Sequence, residues 1–159
     1  MDVILKLLSE NARLKTKDVA VMAGKTEEET RAIMAEYEKA GVIKGYHAII
    51  DWEKTERQLV RAIIEINVSP KRDHGFEEIA ERVARFNEVE SVYLMSGGYD
   101  LAAIVSGKTF QEVAKFVSHK LSPLESVLST STHFVLRTYK ESGVAFCDDE
   151  TDERGNASL

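Results

Sequence analysis

The apolar positions of this chain change period about a third of the way along it. Up to about residue 40 they recur at helical spacing, and from residue 59 helical and alternating stretches follow one another. Val3, Ile4, Leu7 and Leu8 mark a first helix over about residues 2–9. The segment NARLK reads as a turn anchored by Leu14, and Thr16 as the N-cap of a second helix, TKDVAVMA, ending at Gly24 with Val19, Ala20 and Ala23 turned inward. Thr26 caps a third helix, Thr26–Ala40, with Glu28 and Glu29 in the first turn, where the helix dipole favours negative charge. Ala32 or Ile33, Met34 and Tyr37 form its buried stripe, and Gly41 closes it. Two short helices with a glycine turn before a longer third one make a helix-turn-helix pattern. Val42–Asp51 (VIKGYHAIID) is β-rich enough for one or two short strands beyond it, like a small wing.

Trp52–Gln58 (WEKTERQ) reads as a linker, after which the pattern changes. In Leu59–Val68, Val60, Ala62, Ile64, Ile66 and Val68 alternate with Arg61, Ile63, Glu65 and Asn67, a strand with one face in a core. Phe76–Phe86 is an amphipathic helix carrying Phe76, Ile79, Ala80, Val83 and Phe86. Strands at Val89–Leu94 and Leu101–Val105 are joined by the glycine turn MSGGYD, and Gly97 and Gly98 there are first of all turn glycines supplying positive φ. A helix over Phe110–Leu121 and a last strand over Val127–Leu136 complete a βαββαβ order. The expected fold class is therefore α+β: a winged helix-turn-helix head at 1–51, a linker at 52–58 and a ferredoxin-like domain at 59–140. Helices can cover only one face of such a sheet. Ile63, out of phase with Ile64 and Ile66, makes the other face apolar, so self-association is the physical expectation.

The formal charge of -6 is concentrated at one end. Residues 141–159 carry a net of -5, leaving the other 140 near neutral at -1; this segment is expected to be an acidic, disordered tail. The lone Cys147 lies there, which rules out an internal disulfide framework and suits a reducing, cytoplasmic compartment. No apolar run approaches a membrane span of roughly 20 residues, and the N-terminal stretch, with Asp2, Lys6 and Glu10 interspersed, is not a secretory signal. Catalysis is not expected. His47, His74, His119 and His133 are scattered, with no HExxH and no paired cysteines. The GG of SGGYD lacks both the Walker lysine and Rossmann spacing, so no cofactor and no metal is implied.

The head with GVIKGYHAIID after its third helix, the βαββαβ body and the SGGYD turn, in this order and spacing, resemble the leucine-responsive / asparagine-synthase-regulator (Lrp/AsnC, feast/famine) family of prokaryotic transcription factors over residues 2 to about 140. The resemblance implies a DNA-binding head hinged to a regulatory domain that binds small molecules, commonly amino acids. It also implies dimers paired through their sheets and assembled into tetramers or octamers. The effector would sit near Ser96, Gly97, Gly98, Tyr99 and Asp100, with Thr130 and Thr132 nearby on the last strand. Gly98 stands where the family form has an acidic residue, leaving Asp100 as the carboxylate available to an ammonium group.

The third helix departs from that family in charge. It carries Glu27, Glu28, Glu29, Glu36 and Glu38 against Arg31 and Lys39, whereas affinity for DNA draws on neutralised phosphates. Arg31 is its one phosphate or base-edge candidate, and it is equally placed to pair with Glu27 or Glu28. Lys15, Lys17, Lys25 and Lys44, with Arg13, flank the helix and bring residues 1–45 to eight basic against eight acidic groups. Repeated in an oligomer, such contacts act by avidity. The alternative is an effector-sensing or hetero-oligomerising member of the same family without direct DNA binding.

Overall fold

The computed structural model describes residues 2–57, 59–69 and 75–146. Cys147, His74 and most of the expected acidic tail lie outside the described residues. The chain divides into two compact units, Met1–Ile49 and Ile50–Leu159.

The first unit is three helices: α1 (Val3–Glu10), α2 (Thr16–Ala23) and α3 (Glu27–Lys39). Asp2 caps α1, its carboxylate accepting the Ile4 N–H at 2.8 Å. At α2 the cap is Lys15, one residue earlier than the Thr16 expected, and it makes no side-chain capping bond. At α3 a reciprocal box forms: the Thr26 hydroxyl accepts the Glu29 N–H at 3.2 Å and the Glu29 carboxylate accepts the Thr26 N–H at 2.9 Å. Ile4, Leu8 and Val19 form the core, with Leu14, Ile33 and Met34 packed around it. Thr30 is fully buried at its centre, a residue the hydrophobic pattern passes over; its hydroxyl donates to the Thr26 carbonyl at 2.9 Å. The wing strands are a correction. Val42–Asp51 contains no strand, because no neighbouring segment among the described residues takes up its ladder hydrogen bonds.

The second unit is the βαββαβ layer structure: β1 (Val60–Val68), α4 (Glu77–Ala84), β2 (Val89–Leu94), β3 (Leu101–Gly107), α5 (Phe110–Phe116) and β4 (Val127–Phe134). Its four strands run antiparallel in the order β2-β3-β1-β4, the ferredoxin-like arrangement. Ala62, Ile64 and Ile66 on β1 and Leu101, Ala103 and Val105 on β3 face Ile79, Val83, Val113 and Phe116 of the helices. Each fully buried aliphatic side chain there contributes roughly 1.5–3 kcal/mol relative to exposure. Phe86 meets Phe116 edge-on at 5.4 Å, and Phe110 meets Phe134 at 4.8 Å. The helix expected over Phe110–Leu121 widens into a π turn over its last residues, Val117–Leu121.

Two features differ from expectation. The linker begins inside this unit: Trp52–Lys54 form a 3-10 turn capped by Asp51, and the Arg57 guanidinium lies 4.9 Å over the Trp52 ring. The tail expected from residue 141 is ordered at its start, where β5 (Lys140–Glu141) and β6 (Val144–Ala145) form a hairpin. Its anchor is Arg61 on β1, which donates from Nη1 and Nη2 to both Glu141 oxygens at 2.8 and 3.0 Å and reaches Glu90 at 2.9 Å.

Candidate functional sites

On the head, the acidic character of α3 is exposed: Glu27, Glu28, Glu29, Glu36 and Glu38 all face solvent. Arg31, the cation expected to meet DNA from this helix, is bound to its own neighbour, with Nη2 donating to Glu27 Oε1 at 2.8 Å. Lys44 folds back, placing its ammonium beside Gly41 just past the C-terminus of α3, where the helix dipole favours positive charge. Gly41 itself takes a φ of 69°, the left-handed conformation that lets the helix end there. Lys25 lies in the field of Asp2 and Glu29. Lys15 and Lys17 at the start of α2, with Arg13 before it, are exposed and form no ion pair among the described residues. Of the cations expected to meet DNA, Lys15 and Lys17 with Arg13 are therefore the unpaired ones around the start of α2, while α3 itself adds only Lys39 in its last turn.

In the second unit, Ser96–Tyr99 form the loop between β2 and β3, closed by the Met95 N–H donating to the Asp100 carbonyl at 2.8 Å. Gly97 takes a positive φ of 158°, as expected of a turn glycine, whereas Gly98 is not in the positive-φ region. A Cβ at either would meet nothing within 4 Å, so the loop surface above them is open. The N–H groups of Ser96, Gly97, Gly98 and Tyr99 donate to no protein acceptor among the described residues. Asp100 is tied in twice: its N–H donates to the Ile66 carbonyl at 3.1 Å, and its Oδ2 accepts the Val68 N–H at 2.9 Å. It thus braces the loop against the end of β1, and one carboxylate oxygen remains for other partners.

Thr130 and Thr132 on β4 pair across from Ile66 and Ile64, and so share the helix-covered face with the core. Thr130 lies level with the base of the loop, two strand spacings from Leu101, or roughly 10 Å. Its hydroxyl is 3.4 Å from that of Ser122. Neither threonine reaches the opposite, uncovered face. That face carries Ile63, Ile104, Ala102 and Tyr93, with Glu65 and His133 3.5 Å apart among them. Ile63 is 41% and Tyr93 52% exposed, an apolar centre rimmed by charge. Among the described residues no group of His, Cys, Asp and Glu could hold a metal ion, and no helix is long and apolar enough to cross a membrane.

Comparison with known proteins meets this geometry at both ends of the chain. The family model described as the Lrp/AsnC ligand binding domain matches residues 61–145. The uncharacterized HTH-type transcriptional regulator YugG of Bacillus subtilis is 49% identical over 152 residues, covering 95% of this chain and 92% of its own. Among solved structures, the transcriptional regulator NMB0573 of Neisseria meningitidis, in complex with L-Met, superposes with a TM-score of 0.69 at 24% identity, covering 87% of this chain and 88% of that one. E. coli AsnC superposes with a TM-score of 0.66 at 21% identity, covering 88% and 92%. These two likenesses show the shared fold.

Proposed function

This chain belongs to the Lrp/AsnC family of transcription regulators, and on that premise we propose that it binds double-stranded DNA as an oligomer and responds to a small-molecule effector such as an amino acid. The observation that carries this reading is the union, in one chain, of a three-helix head and a ligand-binding domain, similar throughout to an HTH-type regulator. The family is one of regulators, not of enzymes.

In this reading the loop Ser96–Asp100 meets the effector, as the NMB0573 complex with L-Met encourages for the amino-acid class. The open glycines admit a ligand close to the backbone, the loop N–H groups are free to receive a carboxylate, and the untied Asp100 oxygen faces the ammonium. Thr130 and Thr132 support the sheet beneath it. The uncovered sheet face joins two copies into a dimer, and further association gives a tetramer or octamer. DNA is approached through Lys15 and Lys17, assisted by Lys25 and Lys44. Arg31 becomes available where a phosphate outcompetes Glu27. Each head makes few phosphate contacts, so affinity depends on several heads engaging one site together. The effector alters the oligomer or the spacing of its dimers, and DNA affinity follows by linkage.

One observation favours a second reading, an effector-sensing or hetero-oligomerising member without its own DNA contacts: Arg31 is already paired on an otherwise acidic helix. A binding titration against the DNA upstream of the protein's own gene and a scrambled duplex, at two salt concentrations, separates the two. Preference for the upstream DNA that weakens with salt is expected. Absence of binding up to tens of micromolar, as an order-of-magnitude limit, would leave the second reading standing.

A further inference from the structure

The entry to α2 places Arg13, Lys15 and Lys17 within five residues, with no carboxylate among them. All three are exposed and form no ion pair among the described residues. Arg31, Arg61, Arg85 and Lys120, by contrast, each hold a glutamate of the fold. The turn that presents the three cations is fixed: the Asn11 side chain accepts the Arg13 N–H at 3.0 Å, and Leu14 packs on the core of the head. The helix start beside them is open. Asp2 and Thr26 cap α1 and α3 with side-chain oxygens, whereas Lys15 gives α2 no such bond. The Thr16 and Lys17 N–H groups donate to no protein acceptor among the described residues, and the helix dipole adds positive potential there.

The chain carries a polyanion of its own. Asp148, Asp149, Glu150, Asp152 and Glu153 fall within six residues, interrupted by Thr151 and followed by Arg154. Six residues span at most about 22 Å, so these charges are spaced on average about 4 Å apart or closer. One strand of DNA carries a phosphate about every 3.4 Å of helix axis. We propose that Asp148–Glu153 docks on the Arg13–Lys17 entry of α2, in a head of its own assembly, and occupies in the free protein the surface that DNA takes. Its carboxylates meet the three cations, and one of them supplies the cap that α2 lacks. Tethered two residues beyond Phe146, the segment competes at an effective concentration that a separate molecule lacks. A duplex held through phosphates alone is then turned away, and one that also engages base edges displaces the segment. The competition rests on the assignment of Lys15 and Lys17 to DNA; the contact itself does not.

The full-length protein, without DNA, is treated with a carbodiimide, which joins a carboxylate directly to an amine in contact with it, and the linked peptides are read by mass spectrometry. Links from 148–153 to Lys15 or Lys17 are expected well above those to Lys108 and Lys115, exposed lysines of the second unit, and should fade as salt is raised. Absence of these links, or links spread evenly over the lysines, overturns the inference. A full-length variant with Asp148→Asn, Asp149→Asn, Glu150→Gln, Asp152→Asn and Glu153→Gln is then titrated with a scrambled duplex beside the wild type. The variant should bind about tenfold tighter at low salt, with the gap narrowing as salt rises. A variant that binds no tighter than a wild type which itself binds DNA also overturns the inference. If neither protein binds DNA while the links form, the docking stands and the DNA reading of the head fails.

Discussion

Asp100 holds the end of β1 to the β2–β3 loop through one carboxylate oxygen, and the partly buried Val68 N–H is left without an acceptor if that oxygen goes. Losing the partner of such a group costs about 1–3 kcal/mol. Asp100→Ala should therefore lower the midpoint of thermal unfolding by several degrees, whereas Asp100→Asn, which keeps a carbonyl oxygen, should lose less. Calorimetry of the three proteins checks the order. Residues of this kind are hard to read from sequence: the SGGYD string marks a loop and a candidate ligand contact, but the bond from Asp100 spans 32 positions to a strand whose register only the fold sets. Arg31 is the opposite case. Its pairing with Glu27 follows from four-residue spacing on one helix and was legible directly.

At the scale of elements, α3 begins on its capping box. Glu29 is held below the usual carboxylate range first by the Thr26 N–H and then by the Thr26 hydroxyl. A carboxylate depressed in the folded state contributes stability that is fully present above its unfolded value, near 4.5, and is lost as pH falls through the folded value. Helicity of the head should thus become acid-sensitive below about 4.5, and Glu29→Gln should flatten that dependence in circular dichroism melts. Thr26→Ala, which removes the hydroxyl partner, should cost about 1 kcal/mol at neutral pH.

The C-terminal hairpin depends on a different kind of contact. Arg61→Met would leave Glu141 and Glu90 facing each other without their shared cation, and the amides of Lys140–Ala145 should exchange with solvent faster by about tenfold or more, read by hydrogen exchange. Helices and sheet strands were legible because their apolar period is local: Ala62, Ile64, Ile66 and Val68 announce one face of β1. The hairpin was not, because Lys140–Ala145 is short and half polar, and its anchor lies 80 residues away. Val42–Asp51 erred in the other direction, since β-rich composition makes no strand without a partner to complete the ladder.

For the whole molecule, two surfaces decide behaviour. The uncovered sheet face places Ile63 and Tyr93 in water in a single chain. Ile63→Asp should shift the protein toward monomer in light scattering coupled to gel filtration, at little cost to the fold of one subunit. The head presents an acidic α3 beside an α2 start whose lysines are unpaired. DNA affinity on this account therefore comes from Lys15 and Lys17, repeated across an oligomer, rather than from the helix whose shape suggests it. The direct measurement is the dependence of affinity for the native upstream DNA on salt, for the wild-type protein, for Lys15→Ala/Lys17→Ala and for Glu28→Lys/Glu36→Lys. The account predicts salt-sensitive binding by the wild type, a shallower slope and weaker binding for the lysine variant, and tighter binding for the glutamate variant. A wild-type protein that leaves the DNA unbound, beside a glutamate variant that binds it, would contradict direct DNA recognition by the homo-oligomer.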